Sequence, residues 1–148
     1  MLKHVEIQHG KFILTKQKQY LKRATAARKI HSAIDDLNDL VIDCITDIKG
    51  KHIVKLDLRA LNDAPTEYFL ICEGESSTQI RSIAENIHAR VKEETGLRPA
   101  HLEGLHNAKW VCLDYFSTVV HIFHWETREF YGLEDLWSDA KITEYEHL

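Results

Sequence analysis

The run from Glu67 to Glu103 leaves this chain the fewest choices of fold. Tyr68-Phe69-Leu70-Ile71-Cys72 is a short unbroken apolar stretch with no polar alternation, the pattern of a central strand covered on both faces. Gly74 supplies a sharp turn, and Ser76 followed three residues later by Gln79 is a capping box that opens a helix. Ile80, Ile83, Ala84, Ile87 and Val91 then recur at helical spacing up to about Thr95, where Gly96 is a natural stop. A further extended segment, Pro99–Glu103, follows. Strand, helix and strand in that order make a crossover unit, so the two strands should run parallel with a right-handed connection.

The flanks add to this unit. Ser32 as N-cap, Asp35 and Asp36 in the first turn and the stripe Ile34, Leu37, Val41, Cys44, Ile45, Ile48 predict a helix over about 33–49, ended by Gly50. His52–Leu58 alternates Val54, Leu56 and Leu58 with Lys55 and Asp57, a half-buried strand. Asn62, Asp63 and Pro65 mark the loop that follows. Further on, Lys109–Tyr115 and Val119–His124 are separated only by Phe116-Ser117-Thr118, a hairpin with a three-residue loop. A last helical pattern spans Glu126–Trp137. The order α-β-β-α-β-β-β-α predicts a single α/β domain with a mixed sheet of about five strands and flanking helices.

The charge is unevenly placed. Residues 1–31 hold eight Lys/Arg against the single acid Glu6, a net +7, while residues 32–148 hold eleven against twenty-two acids, a net −11. The chain therefore reads as a basic N-terminal arm, 1–31, followed by an acidic domain, 32–148. Such a domain is not drawn to nucleic acid by its own field but suits a basic protein partner. For the arm three readings stand: a mobile segment, which composition favours, a segment that touches phosphates or an anionic surface, or a targeting peptide. No run is apolar enough to span a membrane, and no secretory signal is expected. Cys44, Cys72 and Cys112 are odd in number, widely spaced and set among apolar neighbours, which fits reduced thiols in a cytoplasmic protein.

Chemistry finds little support. Gly74-Glu75-Ser76-Ser77 lacks the lysine and spacing of a phosphate-binding loop, and Glu75 would repel a phosphate. Two-metal transferase chemistry needs paired carboxylates, whereas Asp57 and Asp114 stand alone on separate strands. His121 and His124 point to opposite faces of one strand, and no spacing gathers a metal set around them. No cofactor is expected. What stands out is aromatic: Trp110, Trp125 and Trp137, all three tryptophans of the chain, fall between Ala108 and Trp137. Alternation puts Trp110, Cys112, Asp114, Val119, His121 and Phe123 on one face of the hairpin, with Val111, Leu113, Tyr115, Val120, Ile122 and His124 on the other. The first face mixes Trp, Asp and His, the composition of a semi-exposed recognition patch as well as of a core. The acids Glu126, Glu129, Glu134, Asp135 and Asp139 read as a solvated helix face.

In the same stretch, Glu103-Gly104, Trp110, Leu113-Asp114-Tyr115, Val119-Val120-His121-Ile122-Phe123, Arg128-Glu129-Phe130-Tyr131, Leu133-Glu134 and Leu136-Trp137 resemble the ribosomal silencing factor family, also called Iojap-like. The likeness extends upstream through Lys49-Gly50-Lys51, Leu56-Asp57, Tyr68–Cys72 and Ser76-Ser77, covering about residues 33–142. It implies a nucleotidyltransferase-like α/β fold without the catalytic acids. It also implies a non-enzymatic protein that binds the large ribosomal subunit through its ribosomal protein number fourteen, blocks subunit joining and lowers translation when nutrients are scarce. The resemblance places Trp110 and Tyr115 in the contact region; Glu103, Asp114, Phe116 and His121 join them as candidate partner-binding residues. It further implies a homodimer in the free state, and an arm that touched phosphates would touch ribosomal RNA. Phe116-Ser117-Thr118 departs from the family's usual Gly-Asp turn, and Trp125 stands where a smaller residue is usual. The competing readings are a nucleotide-dependent transferase on the same scaffold and a dimeric adaptor.

Overall fold

The computed structural model describes the backbone of residues 2–145 and the side chains from residue 15 to residue 145. The chain divides into two compact units, residues 1–36 and 37–148. Helix α1 (Leu2–Asp47) enters the second unit, where Leu37, Val41, Cys44 and Ile45 join its core. The expected start at Ser32 is thus corrected: the helix is already under way at Leu2 and Ser32 is interior. Residues 15–31 are rich in Lys, Gln, Arg and Ala and contain neither Gly nor Pro, so nothing in them breaks a helix.

Among the described residues six strands build the sheet: β1 (Lys51–Asp57), β2 (Tyr68–Gly74), β3 (His101–Glu103), β4 (Trp110–Asp114), β5 (Thr118–His124) and β6 (Lys141–Tyr145). Their order is β3-β4-β5-β2-β1-β6. Only β2 and β5 pair in parallel; every other neighbouring pair is antiparallel. The expected count of five is short by β6. Lys141–Tyr145 has polar residues on either side of Ile142 and Thr143 and an exposed edge, so only its ladder with β1 makes it a strand.

The crossover unit forms with one change. Helix α2 (Ser77–Thr95) follows β2, and β3 does run in the same direction as β2, but β4 and β5 lie between them. Burial explains the order. Val120 and Ile122 of β5 are fully buried and belong in the middle of the sheet, whereas the three residues of β3 are largely exposed and suit an edge. All five residues of the Tyr68–Cys72 run are buried, as a central strand requires.

The start of α2 shows how the cap does more than end a helix. Ser76 Oγ accepts from Gln79 N–H at 3.1 Å. The Gln79 carboxamide accepts from Glu75 N–H and donates to the carbonyls of Ile48 and Lys49, tying the cap to the turn after α1. Further along, Asn86 donates to Cys44 O, and Arg90 reaches Asp43 and Asp47. These bonds hold α1 and α2 side by side on one face of the sheet. There Ile80, Ile83, Ile87 and Val91 meet Leu70, Cys72, Val111, Leu113, Val120 and Ile122.

The opposite face is covered more sparsely. The terminal helical pattern is not one helix but two, α3 (Trp125–Tyr131) and α4 (Leu133–Leu136), broken at Gly132, whose φ of 55° is left-handed. The break turns Leu133 and Trp137 onto the second core of Val54, Leu56, Leu58, Phe69, Ile71 and Phe123. It leaves Phe130, Tyr131 and Leu136 exposed.

Candidate partner-binding surface

The hairpin forms with Trp110 opposite Phe123, Cys112 opposite His121 and Asp114 opposite Val119. Tyr115 N–H donates to Thr118 O, so the loop is Phe116-Ser117, one residue shorter than expected, and Thr118 belongs to β5. Phe116 takes a left-handed φ of 69° at the turn, and Asp114 Oδ1 caps it by accepting from Phe116 N–H at 2.8 Å. The Phe116 side chain is left 77% exposed. Gly104 is required beside the first strand of the hairpin: its φ is 91°, and a Cβ there would lie 2.0 Å from the Trp110 carbonyl oxygen. The Glu103-Gly104 pair therefore brings the edge strand β3 against β4, with Glu103 exposed and opposite Cys112.

Trp110 is held from three sides. Its indole N–H donates to His121 Nδ1 at 3.0 Å. Its ring stacks on Phe123 at 4.9 Å between centroids, and Tyr131 of α3 lies against it at 4.7 Å. Phe69 meets the His121 ring edge-on at 4.7 Å, and Trp137 in turn meets Phe69. The result is a fixed, half-buried indole whose outer neighbour is the exposed ring of Tyr131, itself met edge-on by Phe130, which is 82% exposed. Trp125 and Leu136 add further exposed apolar surface on the same two short helices. An array of rings kept rigid from below and left open above loses little side-chain entropy when it meets a partner.

Two of the expected contact residues are placed differently. Tyr115 points to the inner face, 7% exposed, with its hydroxyl making no hydrogen bond among the described residues; burial pushes that phenol up to about 12. His121 is 6% exposed. Alternation sets Tyr115 on the apolar face with Val111 and Leu113, and only the resemblance brings it into the contact region; His121 shares the Trp110 face, and alternation cannot see what covers that face. In this chain they support the surface from beneath, His121 by holding the Trp110 indole and Tyr115 by filling the core under the turn. Trp110 and Asp114 are half-buried, and Phe116 and Glu103 are exposed. Phe130, Tyr131 and Leu136 were not singled out as contacts. The signal was there in Gly132, a helix stop between two aromatic-rich halves.

His121 also sets a pH dependence. Because Nδ1 accepts the indole proton, the folded state needs a neutral ring, and burial pushes its pKa down to about 4 from 6.5. The unfolded chain therefore binds the proton more readily, so this contribution is complete above pH 6.5 and is lost as pH falls toward 4. At pH 5 the loss is about 2 kcal/mol. Urea unfolding at pH 7 and pH 5 should show that difference for the natural chain, and a smaller one for His121→Asn, which keeps an acceptor but cannot titrate. Equal pH dependence in the two would refute the assignment.

The acids of the last segment are not all solvated. Glu134 is half-buried on Arg128, which also reaches Glu73 at 3.0 Å and the carbonyl of His52 at 2.8 Å. Glu126, Glu129, Asp135 and Asp139 remain exposed. Beside Trp125 an open cleft of about 340 Å³ is lined by Glu73, Arg128, Glu129, Glu134 and Asp135. With Arg128 already paired, Glu129 and Asp135 give this rim a negative field.

The carboxylates weighed for transferase chemistry lie far apart. Asp57 faces Tyr68 on β2, Tyr68 faces Thr118 on β5, and Asp114 of β4 pairs with Val119 next along β5. Three strand spacings make about 14 Å, several times the separation at which two carboxylates share one cation. Each has other work: Asp57 is gripped by the Arg59 guanidinium, which holds its carboxyl below the usual range, and Asp114 caps the turn. His121 and His124 alternate on β5, the first buried and the second half-buried at the strand end. The Cys112 thiol sits 3.4 Å from His121 Nδ1, but burial pushes it up to about 11, the reverse of an activated nucleophile.

Residues 31–148 match the family model described as "Ribosomal silencing factor during starvation". The chain belongs to the ribosomal silencing factor family. Among its relatives, the ribosomal silencing factor RsfS of Halalkalibacterium halodurans is 36% identical over 111 residues, covering 75% of this chain and 93% of that protein. The ribosomal silencing factor RsfS of Bacillus subtilis is 37% identical over 98 residues, 66% of this chain and 81% of the relative. A crystal structure of a Chromobacterium violaceum protein superimposes with a TM-score of 0.67 at 30% identity, covering 71% of this chain and 86% of that one. The mixed α/β sheet with flanking helices is thus the architecture of the family's solved neighbours.

Proposed function

We propose that this chain is a non-catalytic silencer. It binds the large ribosomal subunit through ribosomal protein number fourteen, occupies the face where the small subunit would dock, and so lowers translation in the cytoplasm when nutrients are scarce. The observation that carries this reading is the open aromatic surface of Phe130 and Tyr131 over the clamped Trp110, set in a domain of net charge −11. Rings supply the central anchor of a docking site, and the acidic rim beside them suits a basic ribosomal protein. Asp114 and Phe116 lie at the turn of the hairpin and Glu103 on the edge strand β3 beside it, and they extend the contact, with His121 and Tyr115 holding it in shape. Blocking by bulk requires no bond to be made or broken, which fits carboxylates that are spent on Arg59 and on the turn. In the free protein the same apolar surface would be covered by a second copy, giving a homodimer.

The test is co-sedimentation. The chain should pellet with isolated large subunits at modest salt, should not pellet with small subunits, and should reduce the joined-ribosome fraction when the two are mixed. Failure to appear with large subunits, or joining unaffected by saturating protein, would overturn the reading.

A further inference from the structure

Residues 15–31 of α1 form an exposed helix with six Lys/Arg and no acid; by sequence no acidic residue stands between Glu6 and Asp35. Lys18, Lys22 and Lys29 are all exposed and separated by four and then seven residues, which sets them on one side of the helix within about 40° of each other. The stripe they make is about 16 Å long. Arg23 and Arg28 are also exposed, each roughly 100–120° round the helix from it. The large apolar residues of this stretch are exposed too: Tyr20 and Leu21 line one small cleft, but Ile30 lies half-way round the helix from Leu21, so the three make no continuous face that a lipid bilayer could take up. A lysine line with no acidic partner among the described residues and no continuous apolar face matches the phosphates of a nucleic acid rather than a membrane surface. The family match starts at residue 31, so this stretch is additional to what the silencing domain brings.

We propose that this part of α1 is an RNA-binding helix that takes the phosphate backbone of ribosomal RNA along the Lys18–Lys22–Lys29 stripe. It rests on the reading that the chain works on the large ribosomal subunit, and it divides the labour: the acidic domain meets protein, the basic helix meets RNA. Lysines reach phosphates as point charges, so the contact adds affinity and salt dependence without sequence preference.

The experiment titrates the full chain and its Lys18→Gln/Lys22→Gln/Lys29→Gln variant onto a short fluorescent RNA duplex across a salt series, with phosphatidylserine vesicles as a second probe. Glutamine keeps helix propensity, so circular dichroism should be unchanged. The natural chain should bind RNA, the variant should bind at least about tenfold more weakly at low salt, and the slope of log affinity against log salt should shrink by about 2 to 3. Phe130→Ala should bind the duplex like the natural chain while losing the large subunit. For the natural chain, RNA binding without docking on the large subunit would fail the silencing reading alone, and docking without RNA binding would fail the helix assignment alone. Equal RNA affinity for chain and triple variant, no RNA binding by the natural chain, or tighter binding to vesicles than to RNA would each overturn the proposal.

Discussion

Phe130→Ala should weaken binding to the large ribosomal subunit by about 30-fold or more and leave the unfolding midpoint of the monomer, measured in dilute protein, where it was. The two halves of that result come from one observation. Phe130 is 82% exposed in the free chain, so its truncation opens no cavity and removes no core contact. At the centre of a docked surface the same ring would be desolvated, and truncating such an anchor costs about 2 kcal/mol or more. Trp110→Glu should abolish binding more completely, because it removes the indole on which Tyr131 rests and places a charge among Phe123, Tyr131 and His121. That variant disturbs packing as well, which is why the exposed ring gives the cleaner measurement. Binding unaffected by Phe130→Ala, measured by co-sedimentation over a protein concentration series, would remove α3 from the contact.

Arg128→Met should lower the stability of the domain by about 3 kcal/mol. The Arg128 side chain is mostly buried and bridges three places: Glu73 at the end of β2, Glu134 of α4 and the carbonyl of His52 before the straight part of β1. Methionine keeps most of the volume but strands Glu73, itself largely buried, without a counter-charge. A Glu73→Gln change made on top of Arg128→Met should recover part of the loss, since the orphaned charge is then gone. Urea unfolding of the two single variants and the double reads this directly. An additive cycle, or a midpoint unchanged by Arg128→Met, would show that the pair is held too loosely to matter. Weakening this bridge should also loosen α3 and α4, and with them the surface that carries Phe130 and Tyr131.

Local patterns in the chain were sufficient for every element whose stability is decided by near neighbours in sequence. The Tyr68–Cys72 strand, the Ser76 cap with its Gln79 partner, the α2 stripe and the pairing of the two hairpin strands all rest on contacts within a few residues or on a period of two or 3.6. The family likeness, carried by the same stretches, was legible there too. The places where expectation and structure part are those where a distant segment decides. Lys141–Tyr145 becomes a strand because β1 offers it a free edge. β5 rather than β3 lies beside β2, because fully buried Val120 and Ile122 need neighbours on both sides. Glu134 leaves the solvent because Arg128 is already fixed by Glu73.

The candidate surface follows the same division. Sequence alone determined that thirty residues near the C-terminus concentrate the large aromatics of an acidic α/β domain, and that no carboxylate or histidine set is spaced for chemistry. Which rings stay open to solvent was decided only when the chain closed on itself. Alternation assigns a side chain to a face of the sheet, but whether that face stays open depends on what later packs over it. Here the left-handed break at Gly132 sends Trp137 down onto Phe69 and brings Tyr131 over Trp110. It seals His121 beneath them and leaves Phe130 facing solvent.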